Sequence, residues 1–311
     1  MERNQGKIKK YYWIIILLFL IILLSLTFFC YRKLRNNIVL EKELKHEVDL
    51  LKKEEDKNTE NKNAIISELD KLKKLDELIV LEKKEVFESA KILEQKILNH
   101  ETDYKIAYLT FDDGPYYTTD KVLEVLKKYK VKATFFTIGL NKDICYDNKL
   151  KSCKETYKKE VDAGHTIANH TYSHLIFNGL YSSSDSFIEQ VKKQEDLIKE
   201  RTGATTNIVR FPGGSGTANA YGVKDGIIKK LKEMGYGWVD WTAGDGDGGW
   251  VANADIAWNN LVPTINEDIE VILFHDYSTP TLQILPKTIE YLQENKYIIL
   301  PLFYDSVKIN K

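Results

Sequence analysis

Net charge is almost absent from this sequence: 45 basic residues stand against 46 acidic ones over 311 positions, a formal -1. No global field draws the chain to nucleic acid or to anionic lipid, so no DNA or RNA partner is expected. Cysteine is scarce as well, at three residues. Cys30 lies in an apolar run, where it serves as filler. Cys145 and Cys153 are eight apart in the polar stretch DICYDNKLKSCKE, a spacing that suits a small external disulfide loop and two free thiols equally.

Residues 11–31, YYWIIILLFLIILLSLTFFCY, lack any charge, proline or glycine. Their 21 positions make about 31 Å of helix, enough to cross the hydrocarbon core of a bilayer. The small-residue cleavage site of a signal peptide is missing too, since the run ends Thr27-Phe-Phe-Cys30-Tyr-Arg. An uncleaved single membrane span is therefore expected. Arg3, Lys7, Lys9 and Lys10 before it are nearly balanced by Arg32, Lys33 and Arg35 after it. Long C-terminal domains translocate largely regardless of flanking charge, so residues 1–10 read as a cytoplasmic tail and the bulk as extracellular.

Proline and glycine are missing again from residues 32–102, which are rich in Lys, Glu and Leu. Ile65, Leu72, Ile79, Val86 and Leu93 recur every seven residues, with Leu69, Ala90 and Ile97 in a second row that Asp76 and Lys83 interrupt. This pattern predicts a long helical stalk with a narrow apolar stripe, either a weak parallel homodimeric coiled coil or a lone solvated helix. The polar stretch DKNTENKNA, residues 56–64, marks a joint. His46 and His100 fall in this region and read as solvated.

From about Lys105 onward, short apolar runs alternate with amphipathic helical patterns, starting with IAYLTF and KVLEVLKKYK and ending with TIEYLQENK and YIILPLF. About seven β/α units in roughly 200 residues predict parallel strands with crossover helices. The fold class is thus α/β, a distorted, incomplete barrel over 103–311, with a doubly wound open sheet as the alternative. Gly164, Gly203 and Gly235 read as helix stops.

Functional groups in such folds gather at the C-terminal ends of strands. Asp112 and Asp113 follow the first strand, His170 and His174 follow HTIAN, Arg210 ends NIVR, and His275 with Asp276 follows VILF. The spacing of His170 and His174 places two imidazoles on one side of a helical turn, where both can grip one metal ion. Two histidines and a carboxylate form a common facial set that leaves positions open for water and substrate. A second aspartate near the end of a core strand costs desolvation unless it has separate work, such as accepting a proton from water. His165 opens a strand and reads as structural.

TFDDGP, HTYSH, RFPGG and LFHD, in this order over most of residues 105–276, resemble the polysaccharide deacetylases of carbohydrate esterase family 4, the NodB homology domain. The resemblance implies a distorted (β/α)7 barrel using a divalent metal, usually zinc with cobalt, manganese or nickel as alternatives, to deacetylate N-acetylated sugars of peptidoglycan, chitin or related polymers. It implies Asp112 as general base, Asp113 with His170 and His174 as metal ligands, Arg210 as the orienting arginine, and His275 as general acid. Leu273 is expected to line the acetyl pocket and an amide near Tyr116 to face the oxyanion. Pro212 and Trp241 are the other expected substrate contacts.

One motif departs from the family pattern. The aspartate that supports the acid histidine has three candidates here, Asp240, Asp245 and Asp247, in the segment WVDWTAGDGDGGW. Counting from Trp241 without gaps favours Asp247. A calcium-loop reading of DGDGG lacks its downstream Glu, and Trp241 and Trp250 suit sugar stacking or core packing equally. The leading expectation is a membrane-tethered enzyme deacetylating peptidoglycan N-acetylglucosamine outside the cell. Chitin oligomers, poly-N-acetylglucosamine and muramic acid are the alternatives, and Asp113 leans away from the last. A non-catalytic glycan-binding envelope scaffold is the competing class.

Overall fold

The computed structural model describes residues 27, 28, 31–39, 41–46, 61–139 and 152–311. The expected span 11–31 falls almost wholly outside these residues, as do Cys30 and Cys145. No helix among the described residues is long and apolar enough to cross a membrane. The chain divides into two compact units, Met1–Ser89 and Ala90–Lys311.

Helix α1 (Asn61–Leu98) carries the seven-residue rows, and its last turns belong to the second unit. There Ala90, Leu93 and Ile97 are buried, and so is Glu94. The Glu94 carboxylate accepts hydrogen bonds from the hydroxyls of Tyr108 (2.7 Å) and Ser306 (2.5 Å) and from the Val307 amide (3.1 Å). Removing it strands two buried hydroxyls and a part-buried amide. Glu94→Ala is expected to destabilise the fold by about 2–4 kcal/mol, with Glu94→Gln costing less, as read from urea unfolding of the full chain by tryptophan fluorescence.

Eight parallel strands follow: β1 (Lys105–Asp112), β2 (Thr134–Thr137), β3 (Thr166–Asn169), β4 (Ile208–Val209), β5 (Gly237–Trp238), β6 (Ala243–Gly244), β7 (Ile269–His275) and β8 (Tyr297–Leu300). The helices are α2 (Thr119–Tyr129), α3 (Ser152–Asp162), α4 (Ser184–Thr202), α5 (Ser215–Ala220), α6 (Lys224–Glu233), α7 (Ala254–Leu261) and α8 (Thr279–Glu294). Gly164, Gly203 and Gly235 have φ of 81°, 71° and 74° just past the ends of α3, α4 and α6, the left-handed conformation in which a Cβ is costly.

The sheet runs β5-β4-β3-β2-β1-β7-β6, and β8 joins β1. A strand has two edges, and β7 takes one edge of β1 from Ile106 to Asp112. β8 pairs with Lys105–Tyr108 and β2 with Thr110–Asp112, so these two strands share the other edge. β5 and β6 do not pair, which leaves a parallel-stranded α/β half-barrel. The apolar run YGWVDW keeps its ladder for two residues only. The Val239 amide still donates to Val209, but the Thr242 amide donates to Val271, on the other side of the opening. Between them the carbonyls of Val239 and Asp240 accept from the Arg210 guanidinium (3.3 and 3.1 Å), so a side chain from the end of β4 holds the segment that leads from β5 to β6.

Strand alternation sorts the side chains. Ala107, Leu109 and Phe111 of β1 and Ile272 and Phe274 of β7 pack with Val122, Leu126, Ile284, Leu285 and Ile289 of α2 and α8 in one apolar cluster. The intervening residues, Tyr108, Thr110 and Asp112 beside Val271, Leu273 and His275, therefore face the barrel interior. The register sets Asp112 opposite His275 at the ends of both strands.

Candidate metal and catalytic site

Asp112 is buried, and its Oδ1 accepts from Arg210 Nη1 at 2.8 Å. Arg210 is fully buried. Its Nη1 also donates to Thr110 Oγ1 (2.7 Å), and the guanidinium lies 4.2 Å from the Phe136 ring centre. With the donors of its planar fork shared among a carboxylate, a hydroxyl and two carbonyls, it cannot turn without breaking these bonds. Burial pushes the Asp112 carboxyl above its ordinary range, with the Arg210 charge working against that rise. Arginine thus lowers this group's proton affinity, and desolvation outweighs it.

Asp113, His170 and His174 each offer one ligand atom, all within 4.8 Å of one another. His174 Nε2 lies 3.3 Å and His170 Nε2 3.5 Å from Asp113 Oδ1. The rationale for the histidine pair needs correction. Residues 170–174 form no helical turn; they run through bends, with φ of 67° at Thr171 and 53° at His174. The Asn169 side chain accepts from the Thr171 amide (2.9 Å), and the His170 amide pairs with Thr137 as the strand ends (3.1 Å). Asp113 also has a left-handed φ of 71°. Two ligands thus sit in conformations that β-carbons disfavour, a strain found where side chains must be aimed.

The donor set fits a divalent metal. His170 Nδ1 is 2.8 Å from the Arg210 carbonyl, which fixes that nitrogen as the donor and leaves the Nε2 lone pair toward the cluster. Burial, then the neighbouring His174, lowers His170 to about 3, so the ring is neutral, as a ligand must be.

His275 completes the rim, with Nε2 3.8 Å from Asp113 Oδ2. Its Nδ1 lies 2.7 Å from Asp247 Oδ1, and its amide donates to Asp247 Oδ2 at 2.8 Å. Asp247 is the aspartate that reaches the histidine. Asp240 instead accepts from the Ser215 amide and hydroxyl (2.9 and 2.6 Å), at the start of α5. Burial works to lower His275, but the hydrogen bond and charge of Asp247 prevail and raise it to about 9.

A cleft of about 320 Å³ opens here, lined by Asp113, Tyr116, Ile138, His174 and Tyr277. The Tyr116 side chain lies in this lining, but its amide donates to Thr119 Oγ1 at 2.7 Å and so is engaged, not free for an oxyanion. Pro212 is buried, and its carbonyl accepts from the Tyr181 hydroxyl (2.7 Å), a packing role. Leu273 is half-buried on the inner face and, with Trp241, lies outside that lining; Trp241 is 39% exposed. His165 is structural: its Nδ1 accepts from the Ala133 amide (3.0 Å), and burial holds it at about 3.

Two residues of the site went unassigned in the sequence reading. Tyr277 packs its ring 5.0 Å from that of His275. Asp276 accepts from the Thr119 hydroxyl, and a Cβ on Gly114 would lie 2.3 Å from its Oδ2. The glycine of TFDDGP is thus required by a close approach between two strand ends. Their signal was adjacency to His275, which says nothing about direction.

Residues 99–238 match the sequence profile described as polysaccharide deacetylase. A peptidoglycan-N-acetylglucosamine deacetylase of Bacillus cereus is 32% identical over 199 residues, 62% of this chain and 67% of that one. The chain belongs to the polysaccharide deacetylase family. Among solved deacetylase structures, the catalytic domain of a peptidoglycan N-acetylglucosamine deacetylase from Eubacterium rectale superposes with a TM-score of 0.60 at 31% identity, covering 67% of this chain and 93% of that one. A family pseudoenzyme from Bacillus anthracis is similar at a TM-score of 0.53 and 26% identity, over 64% of each chain. Deacetylases of this family use a metal, and Asp113, His170 and His174 supply the candidate site for one.

Proposed function

We propose that this deacetylase hydrolyses N-acetyl groups from N-acetylglucosamine residues of a cell-wall polysaccharide, peptidoglycan first. The observation that carries the reading is a proton acceptor and a proton donor, each with its own buried partner, beside one candidate metal cluster. Asp112 is held by Arg210 and His275 by Asp247. A divalent cation, zinc first, held by Asp113, His170 and His174 would acidify a water and polarise the acetyl carbonyl. Asp112 accepts the proton of the attacking water. His275, its protonated form favoured by Asp247, donates from Nε2 to the departing amine, which leaves poorly unless protonated. The Tyr116 amide stabilises an oxyanion only after leaving Thr119. The same set of residues speaks against the scaffold reading, since glycan binding needs neither base nor acid.

The cellular setting belongs to this proposal too: a tail at 1–10, a single span at 11–31, a stalk at 32–102 that spaces the deacetylase domain of 103–311 toward the wall, and weak pairing through the stalk. The test is acetate release by the purified full chain from peptidoglycan and from chitin oligomers. Release from peptidoglycan, abolished by chelator and restored by zinc, is expected. No release from either polymer by metal-loaded protein favours the scaffold.

A further inference from the structure

Asp245 lies behind the pair of Asp247 and His275 and has no part in the mechanism so far. It is fully buried, and Asp247 nearly so. Both carboxyl groups converge on one hydroxyl: Thr281 Oγ1 is 2.7 Å from Asp245 Oδ2 and 2.6 Å from Asp247 Oδ2. Ser278 Oγ, which accepts from the Thr281 amide (3.3 Å), is 2.7 Å from the same oxygen.

A hydroxyl has one proton to give and two lone pairs to receive. Two ionised carboxylates at such distances would leave one of them facing a bare lone pair inside the protein, a repulsive contact in low dielectric. Every group is satisfied when Thr281 donates to one carboxylate and accepts from Ser278 and from the other carboxyl, which then carries a proton. Asp247 already receives two donors from His275, the ring at Nδ1 and the amide. Asp245 receives the Asp247 amide, at 3.2 Å on Oδ1, and its carboxyl also lies within hydrogen-bond reach of the Asp247 carboxyl, a contact that needs a proton on one of the two. The charge belongs on Asp247 and the proton on Asp245.

We propose that Asp245 works as a neutral carboxylic acid, a positioning residue that donates to Thr281 and so clamps the Asp247 carboxylate against His275. Burial, then the Asp247 charge, raises Asp245 to about 7, in keeping with that proton count. The charged groups facing it are Asp247 on its own loop and, beyond Asp247, His275 on β7; α8 presents only the hydroxyls of Ser278 and Thr281, and α7 the Asn260 amide, which donates to the Asp245 carbonyl (3.0 Å). The inference rests on His275 acting as the proton donor.

Infrared difference spectra of the full chain at about pH 6 test the proton directly and need no turnover. Wild type minus Asp245→Asn is expected to show the C=O stretch of an undissociated carboxylic acid, and Thr281→Val is expected to shift that band. A missing carboxylate band in its place, or a band unmoved by Thr281→Val, overturns the proposal. In turnover, Asp245→Asn keeps a donor toward Thr281 and should retain kcat within about threefold, whereas Asp245→Ala should lose about tenfold or more in kcat with KM and zinc affinity unchanged. Equal loss in both variants also overturns it. Wild-type protein without activity but with the acid band sinks the proposed function and leaves the proton assignment standing.

Discussion

Asp113→Ala is expected to abolish metal binding and acetate release together, while Asp112→Asn keeps the metal and loses turnover by about 10²–10⁴-fold. The two neighbours differ in what surrounds them. Asp113 is turned by its left-handed φ of 71° toward His170 and His174. Without it two imidazoles remain, and a facial site loses its only anionic ligand. Asp112 points its Oδ1 into Arg210, and asparagine can keep that hydrogen bond through its carbonyl oxygen while being unable to accept the proton. Zinc content after dialysis and kcat on acetylated glucosamine oligomers separate the two outcomes. Because burial holds Asp112 above the usual carboxylate range, the acid limb of kcat/KM should lie higher than an exposed aspartate would set it. Metal loss in Asp112→Asn, or turnover retained in both variants, contradicts the assignment.

The second large effect concerns His275. In the metal-free chain its imidazole is expected to titrate at about 9, and Asp247→Asn should lower it markedly. Desolvation is the largest influence and favours the neutral ring; the Asp247 hydrogen bond and charge, joined by the charges of Asp113 and Asp112, overcome it. An acid must be protonated to act, so activity falls as pH rises through the folded-state value. A cation bound beside Asp113, 3.8 Å from Nε2, moves that limb downward in the loaded enzyme. In Asp247→Asn less of the acid is protonated at pH 7 and its ring is no longer held, and kcat should drop by about 10²-fold or more with little change in KM. Histidine Cε1 proton shifts followed against pH, with His275→Gln to assign the resonance, check the value. A variant titrating as wild type does would break the link between Asp247 and the acid. The same raised value carries a stability consequence: the contribution of protonated His275 is whole below about 6.5 and is lost as pH climbs through about 9.

Much of the site could be read along the chain because its parts sit at strand ends. Asp112, His170, Arg210 and His275 each follow a short apolar run, and parallel strands joined by crossover helices bring such positions to one rim whatever the detailed packing. Helix limits were legible for a similar reason, since a glycine at a left-handed stop acts locally. The choice among Asp240, Asp245 and Asp247 was not local. Four glycines in Gly244–Gly249 leave the backbone free to take many paths, and only contact with His275, Ser278 and Thr281, about 30 residues later, selects one. Pro212 and the Tyr116 amide show the converse, motif positions whose polar groups the fold spends on Tyr181 and Thr119.

By itself, then, the sequence determined the order of strands and helices, the residues that reach the rim, and the donor types that suit a metal. The tertiary structure decided which carboxylate faces which base. It split one edge of β1 between β2 and β8, left β5 and β6 unpaired, and set Arg210 between Asp112 and the segment that links those two strands. Composition and periodicity are properties of neighbours in the chain. Hydrogen-bond partners in a buried site are chosen among groups that only closure of the sheet brings within 3 Å.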